Sequence, residues 1–307
     1  MNTNGEALRL EAVSKSFAGH AAVQELSLGV PRGSVFGLLG PNGAGKTTTL
    51  RMVMDVLAPD AGAITVLGQP AGAAARDRVG YMPEERGLYP RMHVDEQLAF
   101  LAELKGLPRA EALRRAAPWL ERLGLADWRR RRVNELSKGM QQKVQLVATL
   151  LHDPELLILD EPMSGLDPVG MDVVRDVLLE AHARGCTLVL SSHQMETVER
   201  LCDRVALIHR GRLLLEGTVA EVKRRHGGNR VALVVEEGDP AFLWGWPGVL
   251  AARREGARVE LDLEPGADPQ PLLREAAARL RLARFERVEP SLHQIFVARV
   301  TAAGGTA

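Results

Sequence analysis

Eight residues, Gly40-Pro-Asn-Gly-Ala-Gly-Lys-Thr47, constrain this chain more than any other stretch. They follow a continuous apolar run, Ser34-Val-Phe-Gly-Leu-Leu-Gly40, that reads as a buried strand, and they open an amphipathic stretch, Lys46 to Val56, that reads as a helix. Strand, glycine-rich turn and helix in that order match the pattern G-x-x-x-x-G-K-[ST]. The glycines let successive backbone N–H groups turn toward one point, and the helix N-terminus behind them adds its positive end. The expected ligand is therefore a polyphosphate. Lys46 would set a cation on the β- and γ-phosphates, and the Thr47 hydroxyl would ligate Mg²⁺.

A polyphosphate site that does chemistry needs carboxylates, and Leu156-Leu-Ile-Leu-Asp-Glu161 supplies two. Four apolar residues bury the strand and deliver both acids at its C-terminal end, where α/β sheets bind ligands. Asp160 is expected to hold Mg²⁺ through water, and Glu161 to act as the general base on the attacking water. Between these motifs, Leu136-Ser-Lys-Gly-Met140 precedes a helical stretch. Ser137, Gly139 and the helix start could address the nucleotide of a second copy. Taken alone, Ser137 reads equally as a helix cap.

The remaining pattern is α/β. Leu8–Phe17, Ala63–Leu67 and Arg78–Met82 read as strands, and Val94–Leu104, Arg109–Leu123 and Gly139–Leu151 carry apolar residues at helical spacing. Thr187–Ser191 is a further buried strand. Helices are expected over Val169–Ala183 and Met195–Cys202, and a hairpin turns at Arg210-Gly211. A boundary is expected at Gly227-Gly228-Asn229. Beyond it, three strand-like stretches (Val231–Glu236, Arg258–Leu263, Leu282–Glu289) and two helix-like ones (Leu272–Leu280, Ser291–Val300) make a small α/β domain. Thirty-nine basic and 39 acidic residues cancel, which disfavours bulk electrostatic binding to nucleic acid. Two cysteines, Cys186 and Cys202, are too few for a disulfide scaffold and read as small buried hydrophobes in a reducing compartment. The N-terminus lacks signal-peptide character, and no stretch approaches the roughly 20 apolar residues of a membrane span.

Together these motifs resemble the ATP-binding subunit of an ABC transporter over about Leu8 to His226. Gly40–Thr47 matches Walker A, Leu156–Glu161 matches Walker B with the catalytic glutamate, and Leu136–Met140 matches the signature. Ser164-Gly-Leu-Asp167 matches the D-loop, and His193 the switch histidine, in the family's order. The resemblance implies ATP contacts from Gly40, Pro41, Asn42, Gly43, Ala44, Gly45, Lys46, Thr47, Thr48 and His193, adenine stacking on Phe17, and catalysis by Glu161, His193 and Lys46. It also implies that Asp167 links two sites across a dimer; a turn-capping aspartate is the alternative. Two positions depart from the family pattern. Glu84 stands where glutamine is usual and is expected to ligate or sense Mg²⁺; Lys138 replaces a frequent glycine and is expected to face solvent. Pro83–Tyr89, the signature variant and Glu289–Phe296 resemble the bacterial export branch, the NatA-like sodium-efflux and drug-export ATPases with a C-terminal accessory domain.

The implied fold is a P-loop ABC ATPase core, residues 1–227, with a helical subdomain at about 90–150 and an antiparallel β subdomain. A small C-terminal α/β domain, 228–307, follows. The implied machine is a head-to-tail dimer, homodimeric or pseudo-symmetric, that sandwiches ATP between the Lys46 loop of one chain and Ser137–Gly139 of the other. It would power a separate integral-membrane permease from the cytoplasmic face, with Arg86, Tyr89 and Met92 as candidate permease contacts. Arg129–Arg132 reads as a solvated face, with anionic lipid headgroups as the alternative. The competing class is a soluble ABC ATPase serving a nucleic-acid or ribosomal machine. Only about 90 residues separate Walker A from the signature, with no heptads, and one cassette is present, both of which disfavour that class.

Overall fold

The computed structural model describes residues 5–72, 77–226 and 229–302. It divides into two compact units, Met1–Thr218 and Val219–Ala307. In the first unit the chain runs β1 (Glu6–Phe17), β2 (His20–Pro31), β3 (Val35–Leu39), α1 (Lys46–Val53), β4 (Ala61–Val66), β5 (Gln69–Pro70) and β6 (Val79–Met82). It continues through α2 (Val94–Glu103), α3 (Arg109–Arg122), α4 (Lys138–Leu150), β7 (Leu156–Asp160), α5 (Pro168–Ala183), β8 (Thr187–Ser192), α6 (Met195–Leu201), β9 (Arg204–His209) and β10 (Arg212–Thr218).

The central sheet has the order β10-β9-β3-β8-β7-β6. All its neighbours pair in parallel except β10, which returns antiparallel from the tight turn at Arg210-Gly211. Every residue of β3, β7 and β8 is buried, as expected of strands covered on both faces. Their register places the site. Leu39 lies opposite Ser192, and Asp160 opposite Ser191, so the loops that leave β3, β7 and β8 emerge side by side.

A second, antiparallel sheet, β2-β1-β4-β5, shares one core with the central sheet. Leu10, Val23, Leu26 and Ile64 meet Phe36, Leu38, Ala206 and Ile208 there. β2 was not legible in the sequence. Glu25 has φ 46°, and the β1–β2 ladder shifts register between Val13 and Lys15. The bulge spaces the inward residues Val23 and Leu26 three apart, which erases the alternation that marks a strand. Helices α2, α3 and α4 pack through Val94, Leu98 and Ala102, through Ala112, Ala116 and Leu120, and through Val144 and Val147, all buried. The basic run serves this segment. The backbone carbonyls of Arg131 and Arg129 accept the N–H groups of Val94 and Asp95 at the start of α2, and Arg129 Nε bonds Asp95 at 2.9 Å.

The second unit comprises α7 (Val219–His226), β11 (Asn229–Glu237), β12 (Val249–Glu255), β13 (Arg258–Leu263), α8 (Gln270–Arg279), β14 (Arg281–Arg287) and α9 (Leu292–Ala302). Its sheet is β12-β13-β11-β14, antiparallel throughout, over a core of its own around Leu233, Leu243, Leu261 and Leu272. The division falls before α7; Gly227 and Gly228 of the expected boundary lie outside the described residues. β12 escaped the sequence reading because it is an edge strand, largely exposed, without alternation.

Candidate active site at the ends of the parallel strands

The loop after β3 is shaped by two close approaches. A Cβ on Gly40 would lie 2.3 Å from the carbonyl oxygen of Ile208, and one on Gly45, at φ +105°, 2.4 Å from that of Ala22. Only glycine lets the loop settle onto β9 and β2 there. α1 then begins at Lys46 with no acidic residue in its first turn, so the positive helix end is not neutralised. Thr47 and Thr48 lie half-buried on that turn. The Lys46 side chain is 6 % exposed, and its Nζ donates to the carbonyls of Gly40, at 2.8 Å, and Pro41, at 3.2 Å. Burial pushes the Lys46 ammonium below the usual lysine range, against the opposing pull of Glu161, Asp160 and Glu84. All three carboxylates therefore act on the same cation. Glu84 itself is exposed, at the start of the loop after β6.

Asp160 ends β7 fully buried and receives a hydrogen bond from the Ser191 hydroxyl, while its Oδ2 has no partner among the described residues. Glu161 adopts φ 51°, a left-handed conformation that costs a non-glycine residue on the order of 1 kcal/mol or more. The turn folds its carboxylate back toward β8. There Oε1 accepts the backbone N–H of His193 at 3.0 Å and lies 2.9 Å from His193 Nδ1 and 3.8 Å from Lys46 Nζ. A proton on Nδ1 makes the ring the donor in that contact. The Glu161 N–H is itself bonded to Ser191, through Oγ at 3.1 Å and the carbonyl at 3.2 Å. Glu161 is 7 % exposed, whereas the His193 side chain is 46 % exposed. A buried acid is thus clamped by a half-open imidazole.

The fold brings the 40–48 loop, Asp160, Glu161, His193 and Glu84 to one place. Ser137 and Gly139 stand elsewhere, beside the turn that follows β7: the Gly165 oxygen is 3.1 Å from where a Cβ on Gly139 would sit. Ser137 Oγ accepts the Met140 N–H at 3.2 Å and caps α4; Lys138 is exposed. Asp167 likewise caps α5 through the Gly170 N–H at 2.8 Å. Phe17 closes β1, 47 % exposed, with Lys15 Nζ 5.7 Å from its ring centroid. It belongs to the hairpin whose return strand, at Ala22, touches Gly45. Tyr89 is exposed and meets Phe100 edge-on at 5.5 Å. Both cysteines are buried thiols whose pKa burial raises, that of Cys186 to about 12, so neither is poised for thiolate chemistry.

Three supporting residues were missed in the sequence. Gln142, 2 % exposed on α4, donates Nε2 to the carbonyls of Glu161 and Pro162, both at 3.2 Å. Gln145 donates to Pro83 O at 2.8 Å, and Ser191 holds both acids. The available signal was polar residues at buried positions: two glutamines three apart on an apolar helix face, and a serine pair closing an apolar strand.

A phosphate loop, a buried Asp-Glu pair and a histidine gathered at the ends of parallel strands define a nucleotide-hydrolysing P-loop enzyme. The comparisons with known proteins narrow the class. Residues 23–164 match the ABC transporter family model, and residues 217–300 match the C-terminal domain of DrrA1-3-like ATP-binding proteins. The chain is 40 % identical over 295 residues to the ABC transporter ATP-binding protein YhaQ of Bacillus subtilis strain 168, covering 96 % of this chain and 99 % of that one. It is 38 % identical to the Nod factor export ATP-binding protein I of Rhizobium sp. strain N33, covering 95 % and 96 %. A solved ATP-binding subunit of an ABC transporter superposes with a TM-score of 0.67 at 33 % identity, covering 71 % of this chain and 92 % of that one. The chain belongs to the ABC transporter family and is one of its ATP-binding, ATP-hydrolysing subunits.

Proposed function

We propose that the chain hydrolyses ATP as a head-to-tail dimer and drives a separate membrane permease in the export direction. The observation that carries the catalytic part is the convergence on Glu161: its carboxylate is buried, bonded by His193 and 3.8 Å from Lys46. Gly40–Thr48 cradle the phosphates through backbone N–H groups, and Lys46 leaves the carbonyls of Gly40 and Pro41 to meet them. Glu161 takes the proton of the attacking water, and His193 orients that water from the open side. Phe17 stacks on the adenine.

Mg²⁺ fits the donor set, all oxygen, because Asp160 Oδ2 is buried without a donor and the Thr47 hydroxyl is half-buried. Thr47, Asp160 and Glu84 are the residues that would hold it, and it would neutralise charge developing between the phosphates. In the dimer, Ser137 and Gly139 of one chain complete the site of the other. The export direction follows the relative named for Nod factor export. Work with a permease places the chain at the cytoplasmic face of the membrane; no helix among the described residues is long and apolar enough to cross one.

The test is Glu161→Gln. It removes the base while keeping size and burial, and hydrolysis is expected to fall on the order of a hundredfold or more. ATP binding should persist, and size-exclusion chromatography with ATP should show a stable dimer. Wild-type turnover in this variant refutes the assignment.

A further inference from the structure

Arg86 lies where three segments of the first unit meet. It sits two residues past Glu84, on the stretch between β6 and α2 that Gln145 of α4 pins through the Pro83 carbonyl at 2.8 Å. Its Nη2 lies 3.5 Å from the position a Cβ on Gly165 would take, and Gly165 has φ +75°. On its other side the same glycine turn faces the start of α4. Its carbonyl oxygen is 3.1 Å, and Leu166 Cδ2 3.4 Å, from where a Cβ on Gly139 would lie. Arg86 Nε is shielded from solvent and has no hydrogen-bond partner among the described residues. A guanidinium stays charged at any working pH, and shielding part of one without an acceptor costs free energy. Its position against the Gly165 turn therefore needs a reason other than stability.

The turn begins at Glu161. The Ser164 N–H bonds the Glu161 carbonyl at 3.0 Å, and Gln142 of α4 bonds that carbonyl at 3.2 Å. A shift of the Ser164–Asp167 turn is therefore carried straight to the Glu161 backbone, which already sits at an unfavourable φ. From this geometry we propose that Arg86 is a positioning residue for hydrolysis. It holds the Ser164–Asp167 turn between the β6–α2 segment and α4, and so fixes where Glu161 presents its carboxylate. The proposal rests on Glu161 as the base. It removes Arg86 from the permease contacts: Glu84 acts on Lys46 at one end of the segment, and Arg86 steers the catalytic turn at the other.

The experiment is steady-state ATP hydrolysis by the purified full-length chain without any membrane partner. For Arg86→Ala, kcat is expected to fall on the order of ten- to a hundredfold, as for a base displaced by a fraction of an ångström to an ångström. KM for ATP should stay within about twofold, because no phosphate contact is lost. Arg86→Lys keeps the charge without the planar fork and should recover only part of the rate. Should Arg86→Ala fail to fold, Arg86→Gln and Arg86→Lys read the same split. Unchanged kcat in these variants, with Glu161→Gln inactive in parallel, overturns the proposal. A fall in kcat matched by a rise in KM also overturns it, as general damage to the nucleotide site. Full turnover in Glu161→Gln would instead locate the failure in the reading of Glu161, and the proposal falls with it.

Discussion

Asp160 is fully buried, and the Ser191 hydroxyl is the donor that meets its Oδ1. Replacing Ser191 by alanine strips that bond and one of the two that hold the Glu161 N–H. Leaving a buried polar group unpaired costs about 1–3 kcal/mol. Ser191→Ala is therefore expected to lower the Tm of the first unit by several degrees in thermal unfolding. It should also lower kcat by more than it raises KM. An unchanged Tm would show that the serine carries no weight. At this scale the residues gathered at the site were legible and their supports were not. Lys46, Asp160, Glu161 and His193 stand in fixed order along one chain, whereas Ser191 and Gln142 become partners of Glu161 only through strand pairing and helix packing. No spacing rule announces a residue whose role is to satisfy a backbone carbonyl 19 positions away.

The conformation of the 40–48 loop depends on how closely it approaches β2 and β9. Gly45→Ala would drive a Cβ to 2.4 Å from the Ala22 carbonyl oxygen at φ +105°, so loop or strand must shift. Gly43→Ala meets no atom within 4 Å and bears only the strain of φ +76°. ATP affinity, read with a fluorescent ATP analogue, is expected to fall on the order of tenfold or more for Gly45→Ala and by clearly less for Gly43→Ala. Equal losses would mean that backbone strain alone matters. Elements buried on both faces were read to within one residue at each end, because β3, β7 and β8 are largely uninterrupted apolar runs. α1 was expected to reach Val56 but ends at Val53, where Asp55 turns left-handed at φ 54° and the Val56 N–H closes on Arg51 O. β2 stayed hidden because its bulge breaks the period-two pattern, a tertiary accommodation that local periodicity does not record.

At the scale of the whole molecule, each unit has a core of its own. Leu233 of β11 is fully buried in the second, and Leu233→Ala is expected to cost about 2–5 kcal/mol there. Calorimetry should show the loss in the unfolding of that unit, while ATP affinity stays within about twofold. A matching loss of nucleotide binding would mean that the two cores are energetically one. In the proposed machine, a membrane permease harnesses ATP turnover at Glu161. The most direct test is affinity purification of the tagged chain from detergent-solubilised native membranes, followed by mass spectrometry. Stoichiometric recovery of a multi-span membrane protein is the expected result. Recovery of ribosomal or DNA-repair proteins instead, with no membrane protein bound, would contradict it.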